Sequence, residues 1–117
     1  MICHSSMDLQ EELTKQVELL QKKQDELPIT GREYATAERE YKVLLRQEIL
    51  KLRREGEAIG VISLICYGIP EVAEARFKRD CAEAIYKANQ EAINTYKLKI
   101  RLLESQISRE WSNDIRR

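Results

Sequence analysis

The run Pro70–Asn113, PEVAEARFKRDCAEAIYKANQEAINTYKLKIRLLESQISREWSN, decides the fold, because it contains no Gly and no Pro after its first residue. Pro suits the first turn of a helix, where its missing N–H is not needed, and Glu71 and Glu74 follow it there. The spacing predicts a helix over 70–113. At 1.5 Å per residue, about 44 residues span about 66 Å. Its expected apolar stripe is Phe77, Cys81, Ile85, Ala88, Ala92, Tyr96, Ile100, Leu103, Ile107 and Trp111. A stripe of that length needs a cover.

Upstream, Gly56, Gly60 and Gly68 bracket an apolar segment, Ile59 to Tyr67, which reads as a buried connector over 57–69 that bends the chain. Before it, Thr30-Gly31-Arg32-Glu33 has the capping-box spacing and predicts a second helix over 31–56. Its stripe is Tyr34, Ala37, Tyr41, Leu45, Ile49 and Leu52. The first helix is expected over 6–27. Ser5 and Asp8 open it, and Pro28 ends it. Leu13, Val17, Leu20 and Leu27, with Gln24 at the missing step, form its narrow seam.

The expected fold is therefore all-α: one domain over 1–117, a long antiparallel helical hairpin of coiled-coil type with an additional N-terminal helix. At 117 residues, with 34% charged and 43% hydrophobic residues and only four Gly and two Pro, the composition agrees. Helices one and two together match helix three in length. Helix two should thus fold back on 70–96, leaving Tyr96, Ile100, Leu103, Ile107 and Trp111 as a surface for helix one or for another subunit. A homo-oligomer through those five residues is the expectation.

Lys plus Arg and Asp plus Glu both number 20, so no global field points to a partner. Locally, residues 1–27 carry three Lys against six acids, and residues 96–117 carry six cations against three acids. The ends are complementary. Three widely spaced cysteines and a start without a signal-peptide pattern suggest a reducing cytoplasm. The longest apolar stretch, Ala58 to Ile69, is too short for a membrane span of roughly 20 residues, so no membrane partner is expected.

Catalytic chemistry finds little to work with. The single histidine, His4, lies beside Cys3 near the N-terminus. No CxxC, HxxxH or ExxH pattern provides metal ligands, and no GxxxxGK[ST] or GxGxxG loop cradles phosphate. Cys66 and Cys81 read as small core residues, and Glu83, Glu91 and Glu104 as solvated ones. No enzyme activity, cofactor or metal is expected. The basic cluster Arg46, Lys51, Arg53, Arg54, Arg76, Lys78 and Arg79 is the candidate nucleic-acid site, although Glu55, Glu57, Glu71, Glu74 and Asp80 lie among these cations. Trp111, Tyr96 and Tyr86 beside Lys97, Lys99 and Arg101 could stack bases, but at helical spacing they fit core or interface better.

The runs AEREYKVLLRQEILKLRREG (Ala37–Gly56), GIPEVAEARFKRDCAEAIYKA (Gly68–Ala88) and KLKIRLLESQISREW (Lys97–Trp111) resemble small helical proteins from phage and prophage genomes of Gram-positive bacteria. The resemblance covers about residues 35–112. In helical plan it is similar to replication accessory proteins and recombination mediators, which help load a recombinase on single-stranded DNA. It implies an oligomeric, non-enzymatic adaptor for DNA replication or recombination, binding single-stranded DNA, a recombinase or a helicase. The competing expectation is a structural or protein-binding coiled-coil module without nucleic-acid contact.

Overall fold

A computed structural model describes residues 6–116. Its elements are α1 (Ser6–Arg54), α2 (Ile59–Cys66) and α3 (Pro70–Arg116), with no strand among the described residues. The expected opening cap at Ser5, along with Cys3 and His4, lies outside the described residues.

The two upstream helices of the sequence reading are one. α1 runs through Pro28, Thr30 and Gly31 without a break, so Pro28 is an interior residue and the Thr30 capping box does not form. Pro in a helix interior costs about 3 kcal/mol because it removes an amide donor and crowds the preceding turn. Packing on both sides of the proline offsets that cost. Leu27, Thr30, Gly31 and Tyr34 are all partly buried, at the steps of three and four that keep one face inward.

Two compact units divide the chain, one of residues 1–28 with 88–117 and one of residues 29–87. The first pairs the start of α1 with the end of α3. Its inward rows are Leu9, Leu13, Gln16, Leu20, Lys23 and Leu27 on α1, and Asn89, Ile93, Tyr96, Ile100, Leu103 and Ile107 on α3. Steps alternate between three and four, the heptad spacing of a coiled-coil seam. The expected seam was turned by one residue at two steps, since Val17 and Gln24 are exposed while Gln16 and Lys23 take the inner positions. Gln16 donates to the Glu12 carboxylate at 2.8 Å, which satisfies its amide nitrogen within α1.

In the second unit, Tyr34, Ala37, Tyr41, Leu45, Ile49 and Leu52 face inward as the sequence predicts. The α3 face does not match its prediction. Val72, Ala75, Arg79, Ala82 and Tyr86 are the inward row, while Phe77 is 62% exposed and Cys81 and Ile85 are also exposed. The apolar spacing of four from Phe77 to Ile85 describes a real stripe on the outer side of the helix. Short side chains at Ala75 and Ala82 let the helices approach instead, and the seam is carried by Val72, Tyr86 and the aliphatic stem of Arg79.

Tyrosines organise the end of this unit where residues 29–34 meet residues 83–87. A Cβ on Gly31 would lie 3.1 Å from the Tyr86 ring, so glycine allows that ring to rest against α1. Tyr86 in turn meets Tyr34 at 6.0 Å between centroids, tilted by 32°. Tyr34 Oη donates to Glu83 Oε2 at 2.8 Å. Glu83, read as solvated, is therefore a half-buried acceptor.

Candidate protein-docking site

α1 ends at Arg54, and Gly56 just beyond it has a φ of 86°, in the left-handed region that glycine enters without penalty. The Gly56 amide donates to the Arg53 carbonyl and the Glu57 amide to the Leu52 carbonyl, both at 3.1 Å. These two bonds make a Schellman cap. Lys51, Arg53 and Arg54 crowd the same turn, where cations complement the carbonyl end of the helix.

The connector expected over 57–69 is a short helix. α2 begins after Ala58, whose extended backbone accepts from the Val61 and Ile62 amides, both at 3.0 Å. Gly68 and Ile69 then close a turn on the Ile65 and Cys66 carbonyls, and Pro70 opens α3 as predicted.

Six of the eight residues of α2 are strongly apolar: Ile59, Val61, Ile62, Leu64, Ile65 and Cys66. Only two are used by the fold. Ile62 and Cys66, one turn apart, pack on Leu52 with Leu45, Ile49 and Ile69 around them, and Cys66 is 1% exposed. The expectation of a wholly buried segment is corrected for the rest: Ile59 is 77% exposed and Leu64 80%, and Val61, Ile65 and Tyr67 also face outward. A helix apolar all round needs cover on every side, and eight residues resting on one helix pair expose the far side.

Beside α2 lies a cleft of about 230 Å³. Leu45, Ile49, Ile59, Ile62 and Tyr67 give it apolar walls, while Arg53, Ser63 and Cys66 contribute its polar atoms. No carboxylate or imidazole lines it. It suits an apolar side chain with a polar or anionic neighbour.

All seven candidate nucleic-acid residues lie in the second unit, and the structure divides them. Arg79 is half-buried in the seam. Its guanidinium sits 4.6 Å from the Tyr41 ring centroid and donates to Asp80 at 2.8 and 3.0 Å. The Asp80 hydrogen bond raises the Arg79 pKa above its ordinary value. Arg76 lies over the Tyr67 ring at 5.5 Å. Arg46, Lys51, Arg53, Arg54 and Lys78 are exposed, and among the described residues none is in an ion pair.

In the first unit, Tyr96, Ile100, Leu103 and Ile107 are half-buried on the α1 side, and Trp111 is 67% exposed. Lys99 lies over the Tyr96 ring at 5.5 Å. Glu12 and Gln16 of α1 share one surface groove with Leu102 and Leu103, and Leu20 shares another with Ile100. The start of α1 thus covers part of this stretch within the chain, around Ile100 and Leu103, and leaves Trp111 open.

Sequence reasoning located the bend and its glycines but missed α2 as a surface. The signal was present in its composition, since Ile59, Val61, Leu64 and Ile65 exceed what one packed face can bury. Among the described residues, no cluster of three or more His, Cys, Asp or Glu is arranged to hold a metal ion, and no helix is long and apolar enough to cross a membrane. No family model matches the chain, and no curated protein or solved structure does either.

Proposed function

We propose that this chain is a non-enzymatic helical adaptor that docks the outward side of α2 into an apolar groove of a partner protein. The observation behind this reading is the exposure of Ile59 and Leu64, large side chains that the core beneath α2 does not use. Contiguous exposed apolar surface of this kind is characteristic of interaction sites. Arg53 and Arg54 beside it add a polar rim of cations. A phage-type replication or recombination complex is the setting we propose for that partner, on the sequence resemblance alone.

Single-stranded DNA is a second reading, supported by the exposed, unpaired cations Arg46, Lys51, Arg53, Arg54 and Lys78. The readings separate by substitution. Leu64→Glu with Ile59→Ser should leave helicity unchanged and abolish capture of the partner from the source cell. Should the variant capture the same protein as the parent, docking through α2 is wrong. Anisotropy of a labelled oligonucleotide at about 50 mM salt tests the second reading, because phosphate contacts weaken steeply as salt rises. Binding that survives replacement of Arg46, Lys51, Arg53 and Arg54 by Gln would rule out this cluster.

A further inference from the structure

Next to the cleft at α2 lies a second groove of about 340 Å³, lined by Lys42, Leu45, Arg46, Ile49, Leu50 and Arg53. Leu45, Ile49 and Arg53 line both, so the two form one trough along the last turns of α1, wholly within the second unit. From Lys42 to Arg53 it follows the helix for about 16 Å, or three turns. Leu45 and Ile49 make a half-buried floor. α2 stands on one side of them, and Lys42, Arg46 and the exposed Leu50 lie on the other.

The charge along this trough has one sign. Among the described residues no carboxylate lines either part of it. Arg46 and Arg53 are exposed and in no ion pair among the described residues, whereas Lys42 pairs with Glu38 at 3.4 Å. The cleft beside α2, at about 230 Å³, is smaller than the roughly 300–1,000 Å³ of a pocket for a drug-sized molecule, and suits a single large apolar side chain.

We propose that this trough takes an acidic amphipathic helix of the partner protein. Its apolar row lies on Leu45 and Ile49, one large side chain enters the cleft beside α2, and its carboxylates meet Arg46 and Arg53. Helices recognised in grooves present anchors at steps of three and four, and three turns of floor match such a row. Single-stranded nucleic acid would use the same cations, but it stacks on aromatic platforms, and the floor here is aliphatic. The proposal rests on the adaptor reading and gives the chemistry of the partner. Leu64, on the outward side of α2, is outside the trough.

Fluorescence anisotropy on the full chain tests this with a labelled helical peptide of about 15 residues, carrying leucines at i, i+3 and i+7 and glutamates on the adjoining face. It should bind at about 50 mM salt and roughly tenfold more weakly at about 500 mM, because exposed charge pairs are screened. The same peptide with lysine at every glutamate should not bind. A scrambled acidic peptide without the leucine row should bind at least about tenfold more weakly. Arg46→Glu with Arg53→Glu should weaken binding by a similar factor, as should Ser63→Trp, which fills the cleft from an exposed position. Leu50→Gln, exposed and outside the core cluster, checks the floor should the tryptophan disturb folding. Leu64→Glu should leave peptide binding unchanged. Capture of the partner by the Leu64→Glu chain then judges docking through α2 by itself, so the two readings fail separately. Absence of binding at the lower salt overturns the proposal, as does equal binding of the scrambled peptide, loss of binding in Leu64→Glu, or an oligonucleotide of the same length binding more tightly than the acidic peptide.

Discussion

The Asn89 side chain donates a 2.9 Å hydrogen bond to the Lys23 carbonyl, joining α3 to α1 one residue from the Gln24 carbonyl that Pro28 leaves without an amide. Asn89 is buried at a seam position, where a polar side chain fixes register at some expense of stability. Replacing it with Ala removes the bond and leaves a small void. Urea unfolding should show a loss of about 1–2 kcal/mol. An unchanged midpoint would mean that the bond contributes nothing.

Pro28→Ala restores the missing donor in an exposed interior position of α1. Stability should rise by about 1–3 kcal/mol, with no loss of helicity. A destabilised variant would show that the backbone around residue 28 depends on the proline ring.

Gly31 tests close packing. Alanine is favoured over glycine in a helix by about 1 kcal/mol, but here its methyl would press on the Tyr86 ring at 3.1 Å. Gly31→Ala should therefore destabilise the parent chain and stabilise a Tyr86→Ala chain. The reversal of sign in a double-mutant cycle is the readout. Stabilisation in both backgrounds would mean that the ring gives way freely.

Tyr34 supplies a pH dependence. Its hydrogen bond to the Glu83 carboxylate, then burial and the charges of Glu38 and Glu83, raise its pKa above the ordinary value. Folding thus favours the neutral phenol. The contribution is complete below the ordinary tyrosine pKa of about 10 and is lost as pH rises through the raised value. Tyr34→Phe should lower the thermal midpoint at neutral pH, and its difference from the parent should shrink in alkali. A difference that is constant with pH would exclude the phenol as its source.

The cysteines should react at different rates. In a Cys3→Ser background, exposed Cys81 should titrate at once with a thiol reagent, whereas Cys66 should react only on unfolding. Immediate reaction of two thiols would mean that α2 lifts off Leu52 readily.

Arg79 separates packing from binding. Over Tyr41 and paired with Asp80, it should contribute to stability, so Arg79→Gln should cost about 0.5–1 kcal/mol in unfolding. Unchanged stability would return it to the exposed cations available for ligands.

The helical class, the start of α3 at Pro70 and the inward row from Tyr34 to Leu52 were legible because spacing of three and four in a chain with few Gly or Pro has one reading. Local rules failed where two plausible faces or a breaker required a partner to decide. Phe77, Cys81 and Ile85 repeat as regularly as Val72, Ala75 and Arg79, and no single helix distinguishes them. The bend was legible, but the exposure of α2 was not. Apolar composition shows that a segment prefers burial, and says nothing of whether neighbours are large enough to cover it.

By itself, then, the sequence determined that this protein is helical, where α3 begins and where the chain turns, since those follow from backbone propensity, the proline ring and the left-handed tolerance of Gly56. Tertiary structure decided that Pro28 and Gly31 stay within α1, that Arg79 rather than Phe77 lies in the seam, and that all of α2 but Ile62 and Cys66 faces outward. Each of those outcomes balances a local preference of at most a few kcal/mol against packing, and packing depends on which surface the rest of the chain brings alongside.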